Sequence, residues 1–385
     1  TKIHKLYSEK NNHVLSILLL INPFLWLMSN RYMPDIFGLS ILVTAVYYLI
    51  VSINKNNTLY AAILFFLIGL ESGIRLSYTP FFLPAIFVLV KYKKKILTLF
   101  IGFISSISIW LLPLILISGL AILVDIGMRN TSGHFLEWGG TIASSTDSYF
   151  TRLLGMLRSI VSEVFSSWWP ARHGITLLMS VLSIIVLIYL SVYKKLTPFK
   201  KPQNLILVFC VLTYLVWVFF FQNVVYKPRH LLPLTPFWLL LICYFQMDLR
   251  KKSKFFSSLF ITVFLACQTF VCLNLVMSHL EPSAISQSKD WIKKNSSEDL
   301  IICADGLFNF YCKKHADLNQ LIYISSKSEN EIRWQFYNGK KICSYKNLDE
   351  IIKESPTETI QFYHNPSVNR LWSHLTLRIY EKPKK

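Results

Sequence analysis

Apolar stretches alternate with short polar segments along most of the chain. They cover residues 14–33, 36–53, 59–74, 76–90, 96–124, 174–193, 205–225, 231–247 and 255–276. Several are long enough to cross a hydrocarbon core of roughly 30 Å as helices. The pair 59–74 and 76–90 is the weakest, because Glu71, Arg75 and Pro80 interrupt it and each half is short. The pattern predicts a polytopic α-helical membrane protein with about nine transmembrane segments, two of them short or broken.

Composition supports a membrane protein and excludes a nucleic-acid-binding one. Of the 385 residues, 53% are hydrophobic and only 16% are charged, which is too apolar for an ordinary soluble protein. The net charge of +19 could indicate binding to nucleic acid. However, the lysines and arginines fall in short clusters between apolar runs, as in cytoplasmic loops. The expected surroundings are therefore a lipid bilayer, with no nucleic-acid partner.

Basic clusters predict the orientation of the chain. They lie at 91–95, 194–201 and 250–254, and all three should be cytoplasmic. With an even number of crossings between Lys55 and Lys91, the assignment is self-consistent. It places the polar segments near Asp35, Arg75 and Arg229 outside, together with residues 125–173 and everything after 277. The richness in Lys, Asn and Ile is compatible with a bacterium, so the expected location is the bacterial inner membrane.

The outer loop 125–173 contains a helical repeat of apolar side chains. The repeat consists of Phe150, Leu153, Leu154, Leu157, Ile160, Val161, Val164, Phe165 and Trp168. Asp147 or Ser148 can cap its start. This pattern predicts an amphipathic helix lying in the outer membrane interface. The alternative is a helix packed on a soluble core, which is disfavoured because both neighbouring segments in the sequence are transmembrane.

Beyond about Glu281 the composition becomes mixed polar and apolar. Residues 290–294 and 348–354 are typical of helices, whereas 300–304, 360–363 and 375–380 are typical of strands. The sequence therefore predicts two domains, a transmembrane domain at 1–277 and a small extracytoplasmic α/β domain at 278–385.

The stretch from Tyr226 to Trp238 sets three basic side chains at the start of an apolar helix. A helix N-terminus carries partial positive charge, so Lys227, Arg229 and His230 are unfavourable there unless an anion lies among them. Arg229 offers a planar fork matched to phosphate, and His230 can add a donor. The stretch predicts a lipid-phosphate site. The alternative is a short outer loop with residual basic residues, anchored by Tyr226 and Trp238.

Two further polar positions lie in apolar surroundings. Asp35 opens a transmembrane helix on the outer side, either to contact an acceptor, a sugar or a cation, or simply as a helix cap. Glu71 and Arg75 lie four residues apart, just before Tyr78, and could pair on one helix face. Such ionisable residues at membrane depth mark a function unless they form a structural pair near the surface. The scattered cysteines predict no metal cluster.

Short motifs in this order resemble the GT-C superfamily of integral-membrane glycosyltransferases. The nearest branch comprises bacterial relatives of the dolichyl-phosphate-mannose protein mannosyltransferases and the lipid A aminoarabinose transferase. The resemblance covers roughly residues 15–247. Its motifs are Asn22-Pro-Phe-Leu-Trp26, Met33-Pro-Asp35, Gly73-Ile-Arg75 with Pro80 and Pro84, and Arg229-His-Leu-Leu-Pro-Leu-Thr-Pro236.

The resemblance implies transfer of a sugar from a polyprenyl phosphate to a hydroxyl or amine of a lipid, glycan or protein at the outer face. Asp35 would be the catalytic acidic residue of this site, and Arg229 would lie near the lipid phosphate. The substrate-binding set would be Glu71, Arg75, Tyr78, Tyr226, Lys227, Arg229 and His230. His230 stands where the family more usually has a tyrosine. The family's principal catalytic carboxylate lies in an outer loop that would precede Thr1. The identities of the sugar and the acceptor, and a need for a divalent cation, stay open.

Two other functions fit the same pattern. A transporter or flippase of lipid-linked sugars would also need a basic lipid-phosphate site, and a non-catalytic membrane partner could keep one. A transport pathway would place ionisable residues at several depths. Here they gather at one predicted face, which favours a transferase.

Overall fold

The computed structural model describes residues 13–30, 33–55, 57–137, 141–145, 147–170, 172–193, 202–223, 227–295, 300–303, 322–325, 357–365, 368 and 374–381. The chain divides into two compact units, Thr1–Cys272 and Leu273–Lys385. The division falls five residues before the one predicted from the sequence, between 272 and 273 instead of 277 and 278. Residues 348–354, predicted to be helical, lie outside the described residues.

The first unit is helical. Its first five α-helices are α1 (Val14–Leu20), α2 (Pro23–Ser29), α3 (Asp35–Asn54), α4 (Thr58–Arg75) and α5 (Ile86–Lys91). A 3-10 helix, Leu76–Ala85, joins α4 to α5. The next are α6 (Ile96–Ser118), α7 (Leu120–Ser132), α8 (Tyr149–Ser159), α9 (Ile175–Ile188) and α10 (Pro202–Phe221). A second 3-10 helix, Pro228–Leu234, precedes α11 (Thr235–Lys252). Helix α12 (Lys254–Leu280) begins in this unit and ends in the second.

The described part of the chain has seven helical runs long and apolar enough to cross a membrane, so the protein is an integral membrane protein. The sequence predicts nine, and that count is not confirmed. One difference is the apolar run 14–33, which is divided into the short helices α1 and α2. The Asn22 side chain accepts hydrogen bonds from the backbone N–H groups of Phe24 and Leu25 and starts α2 anew. The other is the pair 59–74 and 76–90, which forms one continuous run, Thr58–Lys91.

The run Thr58–Lys91 is folded back on itself. Lys91 Nζ donates to the carbonyl of Ser52 at 3.1 Å and to that of Ile53 at 2.7 Å. The Tyr92 hydroxyl donates to the Ser52 carbonyl at 2.9 Å. The end of the run therefore lies beside the C-terminal end of α3, close to where the run begins. Its tip is near Arg75, and a hairpin of this kind is what the predicted orientation requires, since that places Lys55 and Lys91 on one side.

Two glycines of α4 permit close packing against α6. A Cβ atom at Gly69 would collide with Ser106 Oγ, and one at Gly73 would lie 2.5 Å from the Trp110 ring. The Trp110 indole donates to the Gly69 carbonyl at 3.1 Å. Small residues four apart are a common device for close helix packing in membranes. Glu71 is two residues beyond Gly69, about 200° around the helix, and so it faces away from α6.

Helix α8 and the π-helical turn after it, Ile160–Val164, occupy the region where the sequence predicts an amphipathic helix. Ser148 caps α8 by accepting from the backbone N–H of Thr151 at 3.1 Å. The apolar side chains Phe150, Leu153, Leu154 and Leu157 are exposed. Arg152, on the polar face, is buried and donates to the carbonyls of Phe219 and Gln222. The helix thus turns Arg152 to the protein and leaves these four apolar side chains for the surroundings.

The second unit combines a helix with a small sheet. It contains α13 (Ala284–Asn295) and the strands β1 (Leu300–Cys303), β2 (Ile322–Ser325), β3 (Glu358–Tyr363) and β4 (His374–Glu381). β1 and β2 are parallel, and β4 pairs antiparallel with β1, β2 and β3. Leu375, Leu377 and Ile379 alternate along β4 and are buried, as are Ile285 and Ile292 of α13. Described strands lie at all three places where the sequence predicts them.

Candidate functional site

An ion pair joins the N-terminal end of α3 to the C-terminal end of α4. Arg75 Nη2 lies 2.6 Å from Asp35 Oδ1; the Asp35 side chain is fully buried and that of Arg75 is 16% exposed. The sequence suggested that Arg75 could pair with Glu71 on the same helix. In the structure Arg75 reaches across to the first residue of the neighbouring helix instead. A buried pair of this kind holds the guanidinium in one position.

Gly38 makes room for the two charged side chains of α4. A Cβ atom at this position would lie 2.9 Å from Arg75 Cβ and 2.9 Å from Glu71 Oε1. Only a residue without a side chain lets both groups lie against α3 so closely. The sequence analysis did not identify Gly38. The sequence feature that could have identified it is a glycine one helical turn after Asp35 in an otherwise apolar helix.

Glu71 is completely buried beside Gly38 and near Arg75. Within the described residues, neither of its carboxylate oxygens has a hydrogen-bond partner. Buried polar groups in proteins are almost always hydrogen-bonded, and ionisable groups inside membrane segments are costly. A buried carboxylate with open acceptor capacity at the tip of a hairpin is therefore a functional candidate, as the sequence predicted for Glu71.

Two tyrosines link the hairpin tip to the basic segment. The Arg75 guanidinium carbon lies 5.6 Å from the centroid of the Tyr78 ring. Tyr78 is buried edge-on against Tyr214 of α10, with ring centroids 6.2 Å apart. The Tyr214 hydroxyl in turn donates to the His230 carbonyl at 2.7 Å. Tyr214 was not identified from the sequence, where it lies inside a long apolar run with no polar neighbour to mark it.

The basic segment begins with a 3-10 helix. Sequence reasoning placed Lys227, Arg229 and His230 at the mouth of an α-helix, yet α11 begins only at Thr235, six residues after Arg229. Pro228 and Pro233 lie within the intervening 3-10 helix, where they remove backbone donors. The α-helix dipole therefore does not start at the three basic residues. Any anion there is held chiefly by side chains.

Arg75, Lys227 and Arg229 form a basic cluster. Burial, followed by the charges of Arg229 and Arg75, lowers the pKa of Lys227. The same three cations are near enough to His230 to act on it electrostatically. His230 is 7% exposed, and its Nδ1 has no hydrogen-bond partner among the described residues. Asp35 is paired with Arg75 of this cluster, and an anion bound among the three cations would reduce their mutual repulsion.

The structure thus brings together most of the side chains singled out in the sequence. Asp35, Glu71, Arg75 and Tyr78 meet at one end of the α3–α4 pair. The basic segment with Lys227, Arg229 and His230 packs beside α3. Tyr214 connects it to that group, because Tyr214 donates to the His230 carbonyl and its ring packs against Tyr78. Tyr226 lies outside the described residues. In the described part of the chain, no group of three or more His, Cys, Asp or Glu side chains could hold a metal ion.

Comparison of the whole chain with protein-family models, with curated proteins and with solved structures gave no match. The resemblance to GT-C glycosyltransferases is therefore carried by the short motifs of the sequence.

Proposed function

We propose that the protein is a glycosyltransferase of the GT-C type that transfers a sugar from a polyprenyl phosphate to an acceptor at the outer face of a membrane. The observation that carries the proposal is the basic cluster at the end of a membrane bundle, with the buried carboxylates Asp35 and Glu71 beside it. Three cations so close together suit a doubly charged anion, and a lipid phosphate arriving from the bilayer is such an anion.

The proposed reaction is a displacement at the anomeric carbon of the donor sugar. The acceptor hydroxyl or amine forms a bond to that carbon, and its proton passes to a general base. The bond from the carbon to the phosphate oxygen breaks, and the oxygen keeps the electron pair. Arg229 and Lys227 stabilise the charge that develops on the departing phosphate, which is the usual task of basic groups in such sites. Arg75 adds a third positive charge whose position is fixed by Asp35.

Asp35 acts in this proposal as a positioning residue. The sequence predicts a catalytic carboxylate at this place, but its side chain is fully buried and paired with Arg75. A general base must come within hydrogen-bond reach of the proton that it removes. Asp35 instead orients the guanidinium toward the phosphate. The resemblance likewise places the principal carboxylate of such enzymes in a different loop.

Transfer is favoured over transport by where the fully buried carboxylates lie. Among the described membrane-spanning residues, the buried carboxylates are Asp35 and Glu71, both at the same end of the α3–α4 pair. A transport pathway would need polar side chains at several depths. A cluster at one end serves a reaction at the membrane surface.

The finer topology belongs to the same proposal. We place the basic cluster, α8 and residues 278–385 on the outer side of a bacterial inner membrane, with nine crossings. Single-cysteine variants at Ser148 and at Ser253 test this in intact cells. A membrane-impermeant thiol reagent should label the first and spare the second, and the reverse pattern would overturn the orientation.

Replacement of Arg229 by alanine tests the activity. Transfer from a panel of radiolabelled polyprenyl-phosphate sugars should be abolished while the protein remains inserted in the membrane. Arg250→Ala removes the same charge at the other end of α11 and should leave transfer unchanged. Unchanged transfer in Arg229→Ala would reject the site. Binding of polyprenyl phosphate without turnover in the unaltered protein would favour transport.

A further inference from the structure

A cavity lies along α11. Its volume is about 440 Å³, within the range of ligand pockets, and side chains of α10 and α11 form most of its wall. The rest of the wall consists of Leu187 of α9, Leu234 just before α11, and Ile160, Val164 and Phe165. It extends from Trp238 to Lys251, which are 13 residues apart on α11 or about 20 Å along the helix. The cavity therefore covers about two thirds of a hydrocarbon core of roughly 30 Å.

The two ends of this cavity differ in charge. At one end the rings of Phe165 and Trp238 lie 4.1 Å apart and the neighbouring side chains are apolar. The charged residues that line the cavity, Asp248 and Lys251, both lie at the other end, with Asn204 near them. An occupant would thus present an apolar chain to most of the cavity and a polar group to one end.

The contacts at the polar end of the cavity indicate which charge the polar group of an occupant should carry. The Tyr189 hydroxyl donates to the Asp248 carboxylate. The Lys252 ammonium lies 5.0 Å from the centroid of the Tyr189 ring. Lys251 forms no ion pair with any described residue and is exposed, next to the equally exposed Arg250. Positive charge therefore prevails at this end, which suits an anionic headgroup.

We propose that this cavity binds a phospholipid with an anionic headgroup, one acyl chain lying along α11 and the phosphate at Lys251. The charged end is at the opposite end of α11 from the basic cluster, since α11 begins at Thr235, just after His230, and ends at Lys252. The lipid site is therefore separate from the proposed transfer site, and it does not rest on the transfer reaction. Apolar contact alone gives little preference inside a bilayer, because lipid tails are as apolar as the cavity wall. Selection of this lipid comes from the charge at Lys251.

The test uses the full chain in phosphatidylcholine vesicles. A small fraction of phosphatidylglycerol carries a photoactivatable diazirine in its acyl chain, and crosslinks are mapped by peptide mass spectrometry. Labelling should concentrate on residues 207–215 and 237–247 and exceed that by a phosphatidylcholine probe of the same chain. Lys251→Gln should reduce it by more than the roughly fivefold expected for one basic residue at a membrane surface, because Lys251 lines the cavity and contacts the phosphate. The matched variant Arg250→Gln removes an equal charge outside the cavity and should cause no more than that general effect.

Two results would overturn the proposal. Equal labelling by both probes, or no change in Lys251→Gln, would leave only unselective contact with bulk lipid. Displacement of the probe by polyprenyl phosphate but not by unlabelled phosphatidylglycerol would assign the cavity to a donor lipid. Val211→Trp fills the cavity from α10 and should remove the selective crosslinks while thermal unfolding in detergent shows that the variant is folded. Persistence of the crosslinks in that folded variant would also count against the site.

Discussion

Arg75 at the end of α4 and Asp35 at the start of α3 meet with Nη2 and Oδ1 2.6 Å apart. Asp35 is wholly removed from solvent, so the pair lies in a medium of low polarity. In such surroundings the loss of one partner costs more than the loss of both, because the remaining charge is left buried without compensation. The pair therefore fixes the end of the hairpin on which the basic cluster is built.

A double-mutant cycle should reveal this coupling. Arg75→Ala and Asp35→Ala should each lower the free energy of unfolding by about 3–5 kcal/mol, the usual cost of breaking a buried pair. The double variant should lose clearly less than the sum of the two. Unfolding in detergent micelles, followed by circular dichroism, measures all three. Losses that simply add would show that the two side chains are energetically independent.

Part of this arrangement could be predicted from the sequence. Asp35 and Arg75 are equally far from the turn at Lys55, since 55 − 35 = 20 and 75 − 55 = 20. Two antiparallel helices joined at that turn must bring residues 35 and 75 to the same level. The spacing rule for one helix pointed to Glu71 as the partner of Arg75. In the structure Arg75 pairs with Asp35 of the neighbouring helix instead, where the Asp35 carboxylate is buried.

Other features depend on information that local patterns do not contain. The approach at Gly38 requires the rotation of α4 about its axis, which the packing of Gly69 and Gly73 against α6 determines. The contact between Tyr214 and His230 requires two segments to pack after a change of direction. Similarly, the prolines at 228, 233 and 236 disfavour an early start of α11, but local patterns do not predict the 3-10 helix that precedes it.

Gly38→Ala should separate the hairpin from α3. The added methyl group would meet Arg75 Cβ and Glu71 Oε1 at 2.9 Å, so either α4 or the Glu71 side chain must shift. Overpacking of this kind costs about 1–3 kcal/mol. We expect a lower midpoint of thermal unfolding together with loss of transfer activity.

Gly127 of α7 is the matched control, since a Cβ atom there would meet nothing within 4 Å. Gly127→Ala should leave stability unchanged or raise it by about 0.5–1 kcal/mol through helix propensity. If Gly38→Ala behaved like Gly127→Ala, the close approach of α3 and α4 would have no energetic importance.

Binding of a lipid phosphate should weaken as the pH rises. Lys227 attracts an anion only in its protonated form, and burial together with Arg229 and Arg75 lowers its pKa. The affinity for polyprenyl phosphate should thus be full below the lowered pKa of Lys227. It should fall as the pH passes through that value, earlier than for an ordinary lysine. Binding is measured above about pH 7.5, where the phosphate itself has lost its second proton.

Lys227→Arg should abolish that fall, because arginine keeps its charge throughout the range. Lys227→Gln should bind at every pH as weakly as the unaltered protein binds above the pKa of Lys227, and its binding should not depend on this group. A profile in Lys227→Arg identical to that of the unaltered protein would assign the pH dependence to another residue.

Arg152 should stabilise the membrane domain through the end of α10. It is 1% exposed and donates to the Phe219 carbonyl from Nε at 3.1 Å and from Nη2 at 2.8 Å. A third bond joins Nη2 to the Gln222 carbonyl at 2.8 Å. Cations suit the C-terminal carbonyls of a helix, and buried carbonyls without a donor are costly. Arg152→Ala should reduce the free energy of unfolding by about 2–4 kcal/mol, measured in the same micelles.

Arg158, on the same helix, provides the comparison. It is exposed and lies over the Trp169 ring at 5.8 Å. Such a contact contributes at most about 1 kcal/mol at an exposed site, so Arg158→Ala should change little. Arg152→Lys keeps the charge but loses the fork that reaches two carbonyls, and we expect an intermediate loss. If Arg152→Lys were as stable as the unaltered protein, a positive charge at the end of α10 would be sufficient for stability. The geometry of the three hydrogen bonds would then not be what anchors α8.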